Sequence, residues 1–311
     1  MHLTSLPLPQ SLRARDLAGI CPPASDRAAA RVPIAALAGR QVRIEALIDG
    51  AEADLSFDLR GELMLRANGR PLAGGFGERP FIPMKIWAMA HERRLLERLG
   101  DRYELHGVWS YAMRRVWYDR LPHYFHATDV LDRATGRCLA TTQREALLAG
   151  WPVLPVPVLY AGPMPTQSQW LETLMRRPIA RSAGWRRAFE AAALRDALPA
   201  ELWQARAERE MPMAALIVTV EEDHGQFARF LLRPDDDARS DPKVASAAVP
   251  ASALPKASAL PPLGALLPNG LAPGADLFAS EPTVAWRDVG VKALRSLGAL
   301  KALAVEAAEQ R

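Results

Sequence analysis

Between Tyr103 and Asp132 the chain reads YELHGVWSYAMRRVWYDRLPHYFHATDVLD, which gathers Tyr103, Trp109, Tyr111, Trp117, Tyr118, Tyr124 and Phe125 in a protein only 7% aromatic. Each such ring has roughly 150–250 Å² to hide from water, so the fold has to be built around this block. HGVWSYA, a basic turn and then HYFHATDVLD predict two strands of a central sheet. One face of that sheet packs a core and the other is available to line a pocket. Aromatic strands serve the core more often than a binding wall, and that is the simpler reading.

Upstream, VRIEALIDGAEADLSFDLRGELMLRANGR predicts strands over Ile44–Ile48, Ala53–Phe57 and Leu63–Leu65, with a turn at Leu59–Gly61. Links this short exclude helical crossovers and imply an antiparallel meander. Gly74, Gly75 and Gly77 in PLAGGFGERPF lack the following helix or GK[ST] of a phosphate loop and read as a hairpin end. Residues 83–99 place Ile86, Met89, Ala90 and Leu96 near helical intervals and offer Arg93, Arg94 and Arg98 to solvent, which predicts one amphipathic helix ending near Gly100.

Downstream, CLATTQREALLAG reads as a short strand running into a helix, and WPVLPVPVLYAG as an edge strand, because proline cannot serve a central ladder. Residues 166–210 are helical in three segments. AALIVTVEED and QFARFLLRP then form two strands about a turn at His224–Gly225. Sheet, helices and sheet again make the fold class α+β, with a helical insertion at 166–210 between strands of one core.

The domain organisation follows from composition. Residues 1–30 are an irregular arm, 31–234 the folded domain, and 235–311 a wrapping segment rich in Pro, Ala and Ser that closes on an amphipathic helix expected to span Val289–Glu309. Cys21 and Cys138 are expected as free thiols in a reducing compartment. The N-terminus lacks a signal-peptide pattern and no apolar run approaches a membrane span, so a soluble, cytoplasmic protein without a membrane partner is expected.

His123, His126 and Asp129 superficially form a metal triad, but residues three apart on a strand face opposite sides, so no metal site is expected. No GxSxG elbow or Ser/His/Asp grouping is present. The basic side chains are nearly all arginine, and lysine occurs only at 85, 243, 256, 292 and 301. Arg93, Arg94 and Arg98, then Arg114 and Arg115, then Arg176, Arg177, Arg186 and Arg187 are candidates for a phosphate-tracking surface. Taken group by group they are ordinary solvated faces.

From about Arg43 to Phe278 the chain resembles bacterial ATP-dependent RNA ligase-like proteins of the covalent nucleotidyltransferase superfamily, which includes DNA ligases and capping enzymes. The stretches that carry the resemblance are IDGAEADLSFDLRGELML, LLERLGDRYELHGVWSYA, YDRLPHYFHATDVLDRATGR, AALIVTVEED and LAPGADLF. It implies an antiparallel-sheet nucleotidyltransferase core of the ATP-grasp-like ligase kind. In the KxDG element that carries the adenylated lysine, this chain has Leu47-Ile48-Asp49-Gly50. Other reacting positions of the family align with Asn68, Val108, Ala214, Thr219 and Leu231, and Met113 and Arg114 replace a lysine and a histidine. Asp49, Gly50, Asp129 and Glu221 remain as pocket candidates.

Nucleotidyl transfer needs an amine that attacks the α-phosphate and cations that hold the triphosphate. Leucine offers no lone pair, and arginine, with a pKa above about 12, is a poor nucleophile. Lys85 is the only side-chain amine among the first 242 residues. The resemblance therefore implies a catalytically degenerate ligase fold whose pocket is filled by apolar side chains such as Leu47, Val108 and Leu231. Its expected role is RNA binding or regulation of an RNA-repair protein partner, with no cofactor. The alternatives are an active RNA end-joining ligase using ATP and Mg2+ with Lys85 or a residue supplied in trans as nucleophile, and a diverged scaffold without selected activity.

Overall fold

Ile48, Asp49 and Gly50 do not fold the chain back as a hairpin; they carry it out of one sheet and into another. A computed structural model describes residues 15–18, 32–75, 77–165, 168–196, 212–221, 227–232 and 266–309. Its strands are β1 (Arg15–Ala18), β2 (Val32–Pro33), β3 (Gln41–Leu47), β4 (Ala51–Phe57), β5 (Leu63–Ala67), β6 (Arg70–Pro71), β7 (Tyr103–Trp109), β8 (Phe125–Asp132), β9 (Arg137–Cys138), β10 (Leu154–Pro155), β11 (Val158–Pro163), β12 (Ala215–Glu221) and β13 (Phe227–Leu232). The helices are α1 (Ile82–Ala90), α2 (Glu92–Leu99), α3 (Thr141–Leu148), α4 (Ser168–Arg176), α5 (Trp185–Arg195) and α6 (Leu297–Glu309).

The first sheet runs β11-β3-β12-β13-β1-β2 and the second β10-β8-β7-β4-β5-β6, with β9 on β8. The long pairings are all antiparallel; only the short β1 and β10 pair in parallel. The expected single meander is therefore two sheets. The proline-bearing stretch at 154–163 crosses between them, as an edge strand of each.

Period-two alternation decides what each sheet buries. On the first sheet Val42, Ile44, Ala46, Leu216, Val218, Val220, Phe230 and Leu232 form one core with Leu171, Leu174 and Met175 of α4 and Leu300 of α6. On the second, Leu55, Phe57, Leu105, Trp109, Phe125 and Val130 pack on Met84, Trp87, Leu95 and Leu99 of α1 and α2. Trp87 stacks on Phe125 at 5.3 Å and on Trp109 at 6.3 Å between ring centroids. Each such side chain adds about 1.5–3 kcal/mol by leaving water, so the aromatic block does anchor a core.

The helix expected over 83–99 breaks at His91, whose φ of −109° leaves the helical region. The break resets the phase, and Trp87, the largest apolar side chain in the run, sets which face turns inward. Ile86 and Met89 consequently stand exposed and Leu96 borders on it, while Met84, Trp87, Leu95 and Leu99 are buried.

Arg15–Ala18 forms a strand inside the stretch read as an irregular arm, pairing with β13. Of the expected helical insertion, α4 and α5 are observed. The segment ELWQARAERE, the turn at His224–Gly225, Cys21 and residues 233–265 lie outside the described residues. The closing helix begins at Leu297, eight residues later than the earliest start expected. Among the described residues no helix is long and apolar enough to cross a membrane.

Candidate functional site

The faces that the two cores leave over are turned toward each other, and both carry charged residues. From the first sheet come Arg43, Glu45, Thr219 and Arg229, which share register on β3, β12 and β13. From the second come Asp54, Glu104, His106, Val108, His126 and Asp129 on β4, β7 and β8. His126 and Asp129 share this face because Thr128 is bulged: Ala127 pairs with Gly107 and Asp129 with His106, leaving Thr128 without a partner. The opposite-face argument made for a regular strand therefore does not apply.

Cross-sheet ion pairs occupy the space between. Arg229 is paired with Asp129, and their side chains are 8% and 12% exposed. Arg144, on α3, reaches both sheets, donating to the Glu45 carboxylate on one and to the carbonyl of Thr128 on the other. Beside it Arg43 Nη1 meets Glu145 Oε1 at 2.9 Å. Burial works to raise the Asp129 pKa, but Arg229, with help from Arg144 and His106, holds it below the usual carboxylate value. Ion pairs therefore share this space with apolar side chains, because Leu47, Ile217 and Leu231 lie on the same face as Arg43, Glu45 and Arg229. Leu47 and Leu231 are half-buried, and Val108 is buried.

Asp49 and Gly50 form the corner between the sheets. Asp49 Oδ2 accepts the backbone N–H groups of Arg115 at 2.6 Å and Val116 at 2.8 Å, and its own N–H donates to the Tyr118 hydroxyl at 2.9 Å. At Gly50 an added Cβ would stand 2.8 Å from the Trp109 carbonyl oxygen and 2.8 Å from Ser110 Oγ. These contacts give both residues a structural reason to be there. Asn68, with φ of 49°, and Gly69 form the exposed turn of the β5–β6 hairpin. Thr219 is buried opposite Arg43 and Arg229, while Ala214 donates its N–H to the carbonyl of Leu47. Met113 is buried in a small cluster with Trp117 and Phe189. Glu221 closes β12, paired in register with Phe227.

The candidate arginines separate into groups. Arg94 and Arg98 donate to the carbonyls of Leu147, Ala149 and Gly150, tying down the C-terminal end of α3. Arg93 pairs with Glu97 on its own helix at 3.0 Å. Arg114 donates to the carbonyl of Gly50, and Arg115 lies 3.6 Å from Asp49 Oδ1. Arg181 donates to the Trp117 carbonyl and lies over the Trp185 ring, as does Arg186 from further away, so these two adjoin the Asp49 corner. Arg177 is turned to the Lys292 carbonyl, while Arg176 and Arg187 are exposed on α4 and α5.

Three acid or imidazole groups that sequence reading did not join, Asp54, Glu104 and His106, each bring a ligand atom within 4.8 Å of the others. Each already has a partner: His106 Nδ1 meets Asp54 at 2.7 Å, and Glu104 meets Arg66 at 3.3 Å and Arg133 at 3.2 Å. Glu45, Arg144 and Arg229 were also missed. The signal was the alternation in VRIEA, whose polar members turn out to be covered by a second sheet.

Two mainly antiparallel sheets joined at an Asp-Gly corner, with charged groups between them and helices inserted between strands of the first sheet, define an α+β core. The RNA ligase family model matches residues 40–206, more than half of the chain, and the chain belongs to that family. Among solved structures it is similar to Naegleria gruberi RNA ligase with PPi, at 13% identity and a TM-score of 0.41 over 68% of this chain and 54% of that one. It is also similar to an archaeal ATP-dependent RNA ligase, at 14% identity and a TM-score of 0.39 over 64% of this chain and 44% of that one. The chain thus spans about half the length of the solved structures it matches. No curated protein matches it.

Proposed function

We propose that this RNA ligase family member does not transfer nucleotides and acts instead by binding RNA or by regulating an RNA-repair partner. The observation that supports this reading is beside the end of β3, where the resemblance aligns Leu47 with the nucleophile and the Arg229–Asp129 and Arg144–Glu45 pairs cross the space between the sheets. A nucleoside triphosphate with its metal needs free cations and an attacking amine. Here Arg144 and Arg229 are each matched to a carboxylate, and no lysine among the described residues belongs to this space. Lys85, the one amine of the first 242 residues, pairs with Glu78. The donor set does not fit ATP and Mg2+, and no step is derived through them.

The test is incubation of the full chain with α-labelled ATP and a divalent metal, followed by denaturation at neutral pH. The expected outcome is no retained label, and the same for Leu47→Lys, since that change restores an amine but leaves Asn68, Val108, Ala214, Thr219 and Leu231 in place. A lysine-linked adenylate mapped by peptide mass spectrometry on the unmodified chain would overturn the reading.

A further inference from the structure

At the opposite end of β3 from Leu47, beside the rim of the space between the sheets, lies a hollow of about 350 Å³ lined by Gln41, Val42, Arg43, Ala161, Gly162, Pro163 and Arg295. Its position follows from strand pairing. Val42 pairs with Gly162 and Gln41 with Pro163. The segment before α6 then adds to the free edge of β11: Leu294 donates its N–H to the Leu159 carbonyl at 2.8 Å and accepts from Ala161 at 2.9 Å. Those two bonds fix the backbone from which Arg295 extends.

The charged groups lining the hollow are both guanidiniums. Arg43 is held at one side by Glu145, which orients it while consuming part of its donor set. Arg295 is exposed and makes no ion pair or side-chain hydrogen bond among the described residues. A planar fork with five N–H donors suits an oxyanion with several acceptors, and the Gln41 amide supplies a neutral donor beside it. The hollow is shallow and open to solvent, which suits a small ion held at its surface rather than an enclosed ligand. The end of α6 contributes little, because Ser296 Oγ already takes the N–H of Ala299.

We infer that this hollow binds a phosphate oxyanion, with Arg295 as its principal ligand and Arg43 as the second. The chemistry is shared by free inorganic phosphate and by a terminal phosphate of RNA. Arg43 shares its strand face with Glu45 and is paired with Glu145, whereas Arg295 takes no part in the ion pairs between the sheets.

Calorimetric titration of the full chain with inorganic phosphate at low salt tests it. Saturable binding is expected. Arg295→Ala should weaken it about tenfold or more, as loss of a charge-assisted contact does, and Arg295→Lys should restore part of the loss. The melting temperature should not move, because the side chain is exposed. Competition between phosphate and a 5′-phosphorylated oligoribonucleotide, but not its unphosphorylated form, would assign the source to RNA; absence of competition would assign it to the free ion. No saturable binding up to about 10 mM phosphate, well above the millimolar scale of a weak site, or binding unchanged by Arg295→Ala, would overturn the inference.

Discussion

Arg229 on the first sheet and Asp129 on the second are paired across the interior of the protein, each nearly out of contact with water. A buried pair of this kind is weak evidence for net stability, because two desolvation penalties offset the attraction, but breaking it strands one charge. Asp129→Asn should therefore destabilise the fold by about 3–5 kcal/mol. Arg229→Met combined with Asp129→Leu should recover most of that loss. Urea unfolding of the two variants beside the parent chain measures both quantities. If the single and double variants were equally unstable, the pair would be doing more than neutralising itself.

The Asp-Gly corner makes a separate prediction. Because a Cβ at Gly50 would stand only 2.8 Å from the Trp109 carbonyl oxygen and from Ser110 Oγ, Gly50→Ala should cost about 1–3 kcal/mol through overpacking. Asp49→Ala should cost a similar amount, about 1–3 kcal/mol, by leaving the buried N–H of Val116 without its acceptor. Hydrogen exchange should localise the Asp49→Ala effect to the amides of Arg115 and Val116. A variant at Asp49 that left those amides protected would remove the structural explanation for the residue.

How much of this was legible beforehand depended on whether the pattern was local. The strands at 103–109 and 125–132 and the proline-bearing edge at 154–163 were readable, because alternation and proline chemistry act within a few residues. The jump between sheets at Gly50 was not, since a three-residue link ordinarily means a hairpin and the contact that forbids one comes from Trp109, far along the chain. The bulge at Thr128 likewise has no sequence mark, yet it decides that His126 and Asp129 share a face. Leu47 was singled out by the resemblance alone, which aligns it with the family's nucleophile. The ion pairs beside it were not, because Glu45, Arg144 and Arg229 come from three separated segments.

Stability should peak near neutral pH, for reasons that lie on both faces of the second sheet. Burial pushes His123 down to about 4 and lowers His126 as well. Their folded pKa values lie below the unfolded value near 6.5, so the stability they leave intact above that pH is lost as pH falls from about 6.5 toward 4. For His123 alone the loss is about 3 kcal/mol, at 1.36 kcal/mol per unit. His106 works in the opposite sense. Burial opposes its charging, but Asp54, with Glu104 and Asp129, raises its pKa, so its contribution is complete below about 6.5 and fades as pH rises through the folded value. Denaturant unfolding from pH 4 to 9 measures the profile, and His123→Asn should flatten its acid side. An unchanged acid limb in that variant would show that His123 does not titrate with folding.

The last prediction separates arginines that bind nucleic acid from arginines that hold the fold. Arg98 donates to two carbonyls at the end of α3, so Arg98→Ala should lower the melting temperature and leave RNA affinity little changed. Arg114 and Arg115 flank the Asp49 corner and are exposed, and Arg181, with Arg186 beside it at the Trp185 ring, is near enough to act on Tyr118 and Asp49. If this cluster tracks an RNA backbone, association with single-stranded or nicked duplex RNA should be strongest near 50 mM salt and fall steeply by about 200 mM, because released counterions set the slope. Arg114→Ala with Arg115→Ala should weaken binding across sequences alike and reduce the salt slope by about one to two charges. Folding should survive, since the backbone N–H of residue 115 still reaches Asp49. Filter binding over a salt series reads all of this. RNA binding that was absent at low salt, or that was lost with Arg98→Ala and not with the double substitution, would move the protein's role from RNA to a protein partner.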